Sequence, residues 1–174
     1  MKWRPSQAIV VLATLLLSVA QVYASDSPAD DPAHAVFLVG GQWGAPAGVS
    51  GNVGVLFGPA SSIRPGTSPD SSRRGVLVAG SAGVGGISIA VGGAALAREG
   101  RCLTTGFDGL LRITRTTGDP RNAAADTTYA GVEAGLVVMG VRLSVGVSHR
   151  IGGSSGSHDT IFTFGGGIQI PFGW

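Results

Sequence analysis

Five charged residues in the second half of the chain, Asp108, Arg112, Glu133, Arg142 and Arg150, lie inside short alternating apolar and polar runs. They share a strand parity with Tyr129, Ser144, Ser148, Thr163 and Gln169. Opposite charges, hydroxyls and an amide on one strand face can pair and hydrogen-bond. The chemistry on offer is a charge-paired plug or a polar path for a small solute. His149 is the residue placed for acid–base work, and a histidine base needs a hydroxyl within hydrogen-bond reach. Arg150, Ile151 and Gly152 follow it, so Ser154, Ser155 or Ser157 would serve only through a loop rearrangement, with Asp159 as an orienting acid. The spacing of His34, His149 and His158 suits no metal, and Cys102 stands alone, which excludes an intramolecular disulfide or a cysteine metal cluster. The segments GVGG and GGG open no helix carrying a lysine, so neither reads as a phosphate loop. No cofactor is expected.

These side chains need strands to hold them. Between clusters of Gly, Pro, Ser and Asp the chain breaks into eight alternating runs: 35–44, 51–58, 75–84, 86–96, 103–115, 127–138, 141–151 and 160–174. The third and fourth form a hairpin about Gly85-Gly86, and the sixth and seventh turn near Met139-Gly140. In the seventh, Val141, Leu143, Val145 and Val147 oppose Arg142, Ser144, Ser148 and Arg150. Because a strand sends alternate side chains to opposite faces, each run presents one greasy face and one small or polar face. Of nine aromatic residues beyond position 24, eight fall on the apolar parity: Phe37, Trp43, Phe57, Phe107, Phe162, Phe164, Phe172 and Trp174. The ninth, Tyr129, carries a hydroxyl and joins the charges. Abundant glycine on both parities reads as room for interior arginines and for close strand packing.

The last run, TIFTFGGGIQIPFGW from Thr160 to Trp174, sets Phe162, Phe164, Ile168, Ile170, Phe172 and Trp174 on one parity. It resembles the closing strand of bacterial outer-membrane β-barrels. The resemblance implies an all-β, closed up-and-down antiparallel barrel of about eight strands over 35–174. It also implies surrounding outer-membrane lipid and engagement of the barrel-assembly machinery through the C-terminal strand. The aromatics would then be lipid-facing or girdle residues, and Asp108, Arg112, Tyr129, Glu133, Arg142, Ser144, Ser148 and Arg150 a polar cluster in the lumen. Physics agrees with that sorting: an arginine on a lipid face at mid-bilayer costs ~2–4 kcal/mol, falling towards zero at a strand end, where Arg115 breaks the rule. An eight-stranded barrel is only wide enough to be filled by its own side chains, which favours a plug over a channel. On this parity His149 faces lipid, a position similar to that of the histidine in the lipid A deacylase family. That family's motif is His-x-Ser-Asn, whereas here Ile151 and Gly152 replace the serine and asparagine.

Residues 1–24 read as a signal peptide: Lys2 and Arg4, an apolar run from Ala8 to Val19, then Val22 and Ala24 at the spacing of a cleavage site. Residues 25–34 read as a flexible acidic leader. Cleavage removes Lys2, the only lysine, and Arg4, leaving ten arginines against ten acids. The basic pI therefore belongs largely to the targeting segment and gives no ground for nucleic-acid binding. The expected location is the outer membrane of a Gram-negative-type bacterium, the alternative being the periplasm. A structural or surface-interaction role is expected, with loops near 116–127 and 152–159 exposed. Two architectures compete. The uncharged stretch 75–97 could be a membrane helix, but seven of its residues are glycine, each worth ~1 kcal/mol against helix. A soluble periplasmic barrel would turn the aromatics into a core and leave Arg142 and Arg150 in water. The loop 58–74 fits badly, being long for the periplasmic side of such a barrel.

Overall fold

The computed structural model describes residues 35–58, 60–62, 71–99, 103–153 and 159–173. The expected signal peptide and leader, His34, Cys102, Ser154, Ser155, Ser157, His158 and Trp174 lie outside them. Nine strands form: β1 (Ala35–Ala45), β2 (Gly48–Phe57), β3 (Ala60–Ser62), β4 (Ser71–Gly83), β5 (Gly86–Glu99), β6 (Leu103–Thr116), β7 (Thr127–Val138), β8 (Val141–Gly153) and β9 (Thr160–Phe172). Sequence neighbours pair antiparallel except β2 and β3, which both pair with β4, and β1 also pairs with β9. The three residues of β3 pair with β4 in line with β2, so the two count as one barrel strand. The result is a closed, all-antiparallel, up-and-down barrel of eight strands.

The register fixes its tilt. One circuit of paired residues runs Ala35, Phe57, Val76, Gly93, Gly109, Ala134, Val145, Phe164 and back to β1 at Ala45. The ladder thus climbs ten residues of β1 in one turn, which inclines the strands by ~40° to the barrel axis.

Strand boundaries differ from the sequence reading mainly in the first half. The second strand begins at Gly48, and the third begins at Ser71 rather than 75. Ser71–Arg73 pair with Ala60–Ser62, carrying the hairpin into the segment expected to be a loop from 58 to 74. The serines and arginines there show no apolar alternation, and the backbone ladder does not require one. This hairpin stands at the end of the barrel that also carries Ala35 and Phe172. The stretch 75–97 is two strands joined by a two-residue turn at Val84-Gly85, since Gly83 pairs with Gly86. Among the described residues no helix is long and apolar enough to cross a membrane. Between β7 and β8, Met139 and Gly140 both have positive φ, 52° and 80°, the backbone that a two-residue hairpin turn needs to match strand twist.

Side-chain parity separates two environments. Outside, 26 large hydrophobic residues among those described are exposed, with every one of the eight barrel strands contributing. Phe37, Trp43, Phe107, Phe162, Phe164 and Phe172 are among them, and Phe57 is half-buried. Trp43 and Phe164 meet edge to face at 6.2 Å. Inside, Val36, Leu38, Leu56, Leu77, Ala90, Ala94, Leu96, Leu110 and Val137 form a continuous apolar cluster, most of it from β1, β2, β4 and β5. The sequence reading made the inner parity small or polar; the structure adds a large apolar share from β1, β2, β4 and β5, where apolar residues on both faces leave no alternation to read.

Glycine shows the same division. A Cβ on inward-facing Gly92 would run into the Gly109 carbonyl and lie 2.8 Å from Leu110 Cα, whereas a Cβ on outward-facing Gly93 would meet nothing within 4 Å. Gly92→Ala should therefore destabilise the barrel by ~1–3 kcal/mol, as overpacking does. Gly93→Ala should be neutral or stabilise by up to ~1 kcal/mol by restricting the unfolded chain. Urea midpoints of the two variants in detergent micelles check this, and equal losses would contradict it.

Candidate functional site

The wall of the lumen made by β6, β7 and β8 carries the charges. Arg142 on β8 donates from Nε to Asp108 Oδ2 at 3.0 Å and from Nη2 to Asp108 Oδ1 at 2.6 Å, a two-pronged pair. The same Nη2 lies 3.0 Å from Glu133 Oε1 on β7. Arg112 on β6 reaches that Glu133 oxygen from the other side at 2.8 Å and donates from Nη1 to Ser88 Oγ at 2.6 Å. Ser88 in turn shares a 2.8 Å hydrogen bond with Ser81. Two arginines and two carboxylates thus form one formally neutral chain from β8 through β7 and β6 to β5 and β4. Asp108, Glu133 and Arg142 are buried, and Arg112 is nearly so.

The local sequence makes room for this chain. On the inner face of β7, Gly131, Glu133 and Gly135 alternate, and β6 pairs Asp108 with Gly135 and Arg112 with Gly131. A Cβ at Gly135 would strike the Asp108 carboxylate and lie 2.6 Å from Arg142 Nη2. Glu133 therefore stands between two positions without side chains: the Asp108–Arg142 pair fills the space at Gly135, while at Gly131 the neighbouring strand β8 closes in, a Cβ there lying 2.4 Å from Ser148 Cα. The sequence reading of glycine as space for interior arginines describes this spot.

Between the charged wall and the apolar wall is a small cavity of about 30 Å³. Asn52 Oδ1, Gln169 Oε1 and Arg112 Nε, all from residues lining it, are buried without a hydrogen-bond partner. Two acceptors and one donor match the two donors and one acceptor of a single water molecule, and the volume suits one water rather than a solute. Of the two lumen chemistries the sequence offered, this geometry has the form of a plug. Ser144, Ser148, Thr163 and Gln169 are buried on the same inner face, and Tyr129 is fully buried.

At the end of the barrel opposite Ala35, the loop 117–126 is tied down. The Tyr129 hydroxyl accepts from Ala124 N at 3.1 Å, and Thr116 Oγ1 lies 2.6 Å from the Ala124 carbonyl, to which it can donate, and 2.8 Å from that of Thr127, and accepts from Thr127 N. The loop leans over the β1–β2 turn, with Arg121 N donating to Pro46 O at 3.1 Å and the Arg121 guanidinium 5.2 Å from the Trp43 ring centroid. Arg150 is half-buried near the same end and pairs with Asp159 at 2.5 Å, apart from the Asp108–Glu133 network. His149 is exposed on the outer face, and its Nδ1 lies 3.1 Å from Thr160 Oγ1. Asp159, the acid suggested for His149, is thus held by Arg150. The hydroxyl beside His149 comes from Thr160, which the pairing of β8 with β9 places directly opposite it. Ser81, Ser88, Asn52 and Gly135 were missed by sequence reasoning. Their roles follow from the circuit of the ladder, which residue spacing within one strand does not reveal. Among the described residues no group of His, Cys, Asp or Glu could hold a metal ion.

Fold and site together define a small closed antiparallel β-barrel with a filled, ion-paired lumen and an apolar outer surface. In comparisons with known proteins, no family model, no curated protein and no solved structure matches the chain.

Because Arg142 serves both carboxylates while Arg112 serves one, the two should differ on removal. Arg142→Met leaves Asp108 without its partner in the network and should cost ~3–5 kcal/mol, the range for breaking a buried ion pair. Arg112→Met leaves Glu133 still held by Arg142 and should cost distinctly less. Urea unfolding in micelles ranks them, and an equal loss would contradict the shared-acceptor geometry.

Proposed function

We propose that this chain is an integral outer-membrane β-barrel of a Gram-negative-type bacterium, exported by a signal peptide in residues 1–24, with a structural or surface-interaction role. The observation that carries this reading is the belt of exposed large hydrophobic residues, to which all eight barrel strands contribute, with Asp108, Glu133 and Arg142 buried inside. Soluble monomers rarely expose a contiguous apolar patch beyond a few hundred Å². A soluble barrel built on this sequence would need the reverse sorting, aromatics within and Arg142 in water. Closure also suits a bilayer, since no strand edge is left with unpaired backbone groups in hydrocarbon. Strands of 10–14 residues meet or exceed the ~9–11 needed to span the apolar layer at such a tilt.

In this reading the end bearing Ala35 faces the periplasm, and the loop at 117–126 and the neighbouring strand ends at Gly153 and Thr160 face outward. The barrel-assembly machinery would receive the chain through β9. Cell fractionation tests it: the protein should appear in the outer-membrane fraction and migrate differently on a gel with and without heating. Recovery in the soluble periplasm with no heat-dependent shift would end the proposal.

The hydrogen bond between His149 and Thr160 favours a second reading, a lipid-modifying barrel enzyme resembling the lipid A deacylases, with threonine as the nucleophile and histidine as the base. It has less support, since Asp159 is committed to Arg150. His149→Ala and Thr160→Val should leave the lipid A profile of the producing cells unchanged if the role is structural. The same altered profile in both variants would establish the enzyme.

A further inference from the structure

We infer that the outer face of β5, β6 and β7 holds one anionic membrane lipid, its acyl chain in an apolar groove and its phosphate at Arg115. This rests on the outer-membrane reading above and goes further by naming a site and a head-group chemistry. The groove has a volume of about 710 Å³, within the ~300–1,000 Å³ typical of small-molecule sites. Ile89 and Val91 of β5 wall one side, Leu111 and Ile113 of β6 run beside them, and Val132 of β7 closes the other side. Its depth comes from Ala130, a methyl group paired with Ile113 on one side and His149 on the other. At the upper end of this greasy channel, near the 117–126 loop, stands Arg115.

Arg115 is a cation on the apolar parity of a strand, exposed, with one hydrogen bond from Nη1 to Thr128 Oγ1 at 3.1 Å. Its pairing with Ile87 and Thr128 puts it at the rim, where an outward arginine costs ~0–1 kcal/mol in a bilayer. A guanidinium fork matches phosphate oxygens in two-pronged geometry. The hydroxyl of Thr128 and, one row lower across β7, the imidazole of His149 flank the same rim. An apolar groove capped by a positive charge is the complement of an anionic amphiphile. A zwitterionic lipid would fill the groove and bring a phosphate, but its own ammonium offsets that charge and competes with the guanidinium for it, and a free anion would ignore the groove. A partner strand has no sheet edge to join, because the barrel is closed. Arg74, outward-facing at the opposite rim beside a smaller groove over Ala95, Ala97 and Phe107, must be silenced in any test.

The test is native mass spectrometry of the detergent-extracted protein in an Arg74→Gln background, titrated with phosphatidylglycerol or phosphatidylcholine of identical acyl chains. Retention of phosphatidylglycerol should exceed that of phosphatidylcholine by threefold or more. Arg115→Gln should remove the preference and Arg115→Lys should keep part of it. Arg121→Gln, the same charge change in the neighbouring loop, should leave it intact. Ala130→Trp, which fills the groove without touching the charge, should weaken both lipids. Inorganic phosphate at matching concentration should not displace phosphatidylglycerol. Equal retention of the two lipids, a preference that survives Arg115→Gln, or displacement by inorganic phosphate would overturn the site. Folding of each variant is checked by its heat-dependent gel shift. Protein that inserts into vesicles but shows no lipid preference refutes the lipid site alone, whereas protein that fails to enter vesicles refutes the membrane reading.

Discussion

The hydrogen-bonded seam between β1 and β9 is the constraint on which the rest depends. From Phe37 opposite Phe172 to Ala45 opposite Phe164, it gives the first and last strands the partners that an open sheet would lack. Once that seam is made, every strand has an inside and an outside, and each residue's chemistry is decided by its parity. It also sets the ten-residue climb of the ladder, and so which inward side chains from different strands meet.

A lumen this narrow has to be filled, and the chain does so with two unlike halves. The apolar half, led by Val36, Leu38, Leu56 and Leu77, needs only to exclude water. The charged half has to satisfy every group it removes from water, because an ion left unpaired in such a place costs several kcal/mol. It does so by sharing: Glu133 takes an arginine from each side, and Arg142 divides its donors between Glu133 and Asp108. Gly135 is as much a part of that arrangement as the charges, since a side chain there would occupy the same space. The three unmatched atoms of Asn52, Gln169 and Arg112 lie where the two halves meet. That boundary is where an apolar surface and a polar network leave a gap of molecular size.

Most of the architecture was legible in the sequence because β6 to β9 alternate so cleanly. In β8 each of Val141, Leu143, Val145 and Val147 is exposed while Arg142, Ser144 and Ser148 are buried. The inward direction of the charges came from that pattern, the strand number from the eight runs along the chain, and the closed antiparallel order from the resemblance of the last run to a closing barrel strand. What stayed hidden had specific causes. On β1 and β2, Val36, Leu38 and Leu56 point inward although they are as apolar as their outward neighbours, so composition could not assign them. Ser61, Ser72 and Arg73 extend a ladder through side chains that read as loop. The meeting of Arg112 and Arg142 on one oxygen, and of His149 with Thr160, depends on register between strands. Register is a property of the closed sheet rather than of any one run.

The account stands on the outer surface of the barrel lying in hydrocarbon. The most direct measurement is the collision rate of a spin label on Val145→Cys, mid-strand on β8 and 65% exposed, in a Cys102→Ser background reconstituted into lipid vesicles. The label should collide readily with dissolved oxygen and little with a water-soluble nickel chelate, while a label at Arg121→Cys in the 117–126 loop should show the opposite order. Free access of the chelate to position 145 would contradict the account.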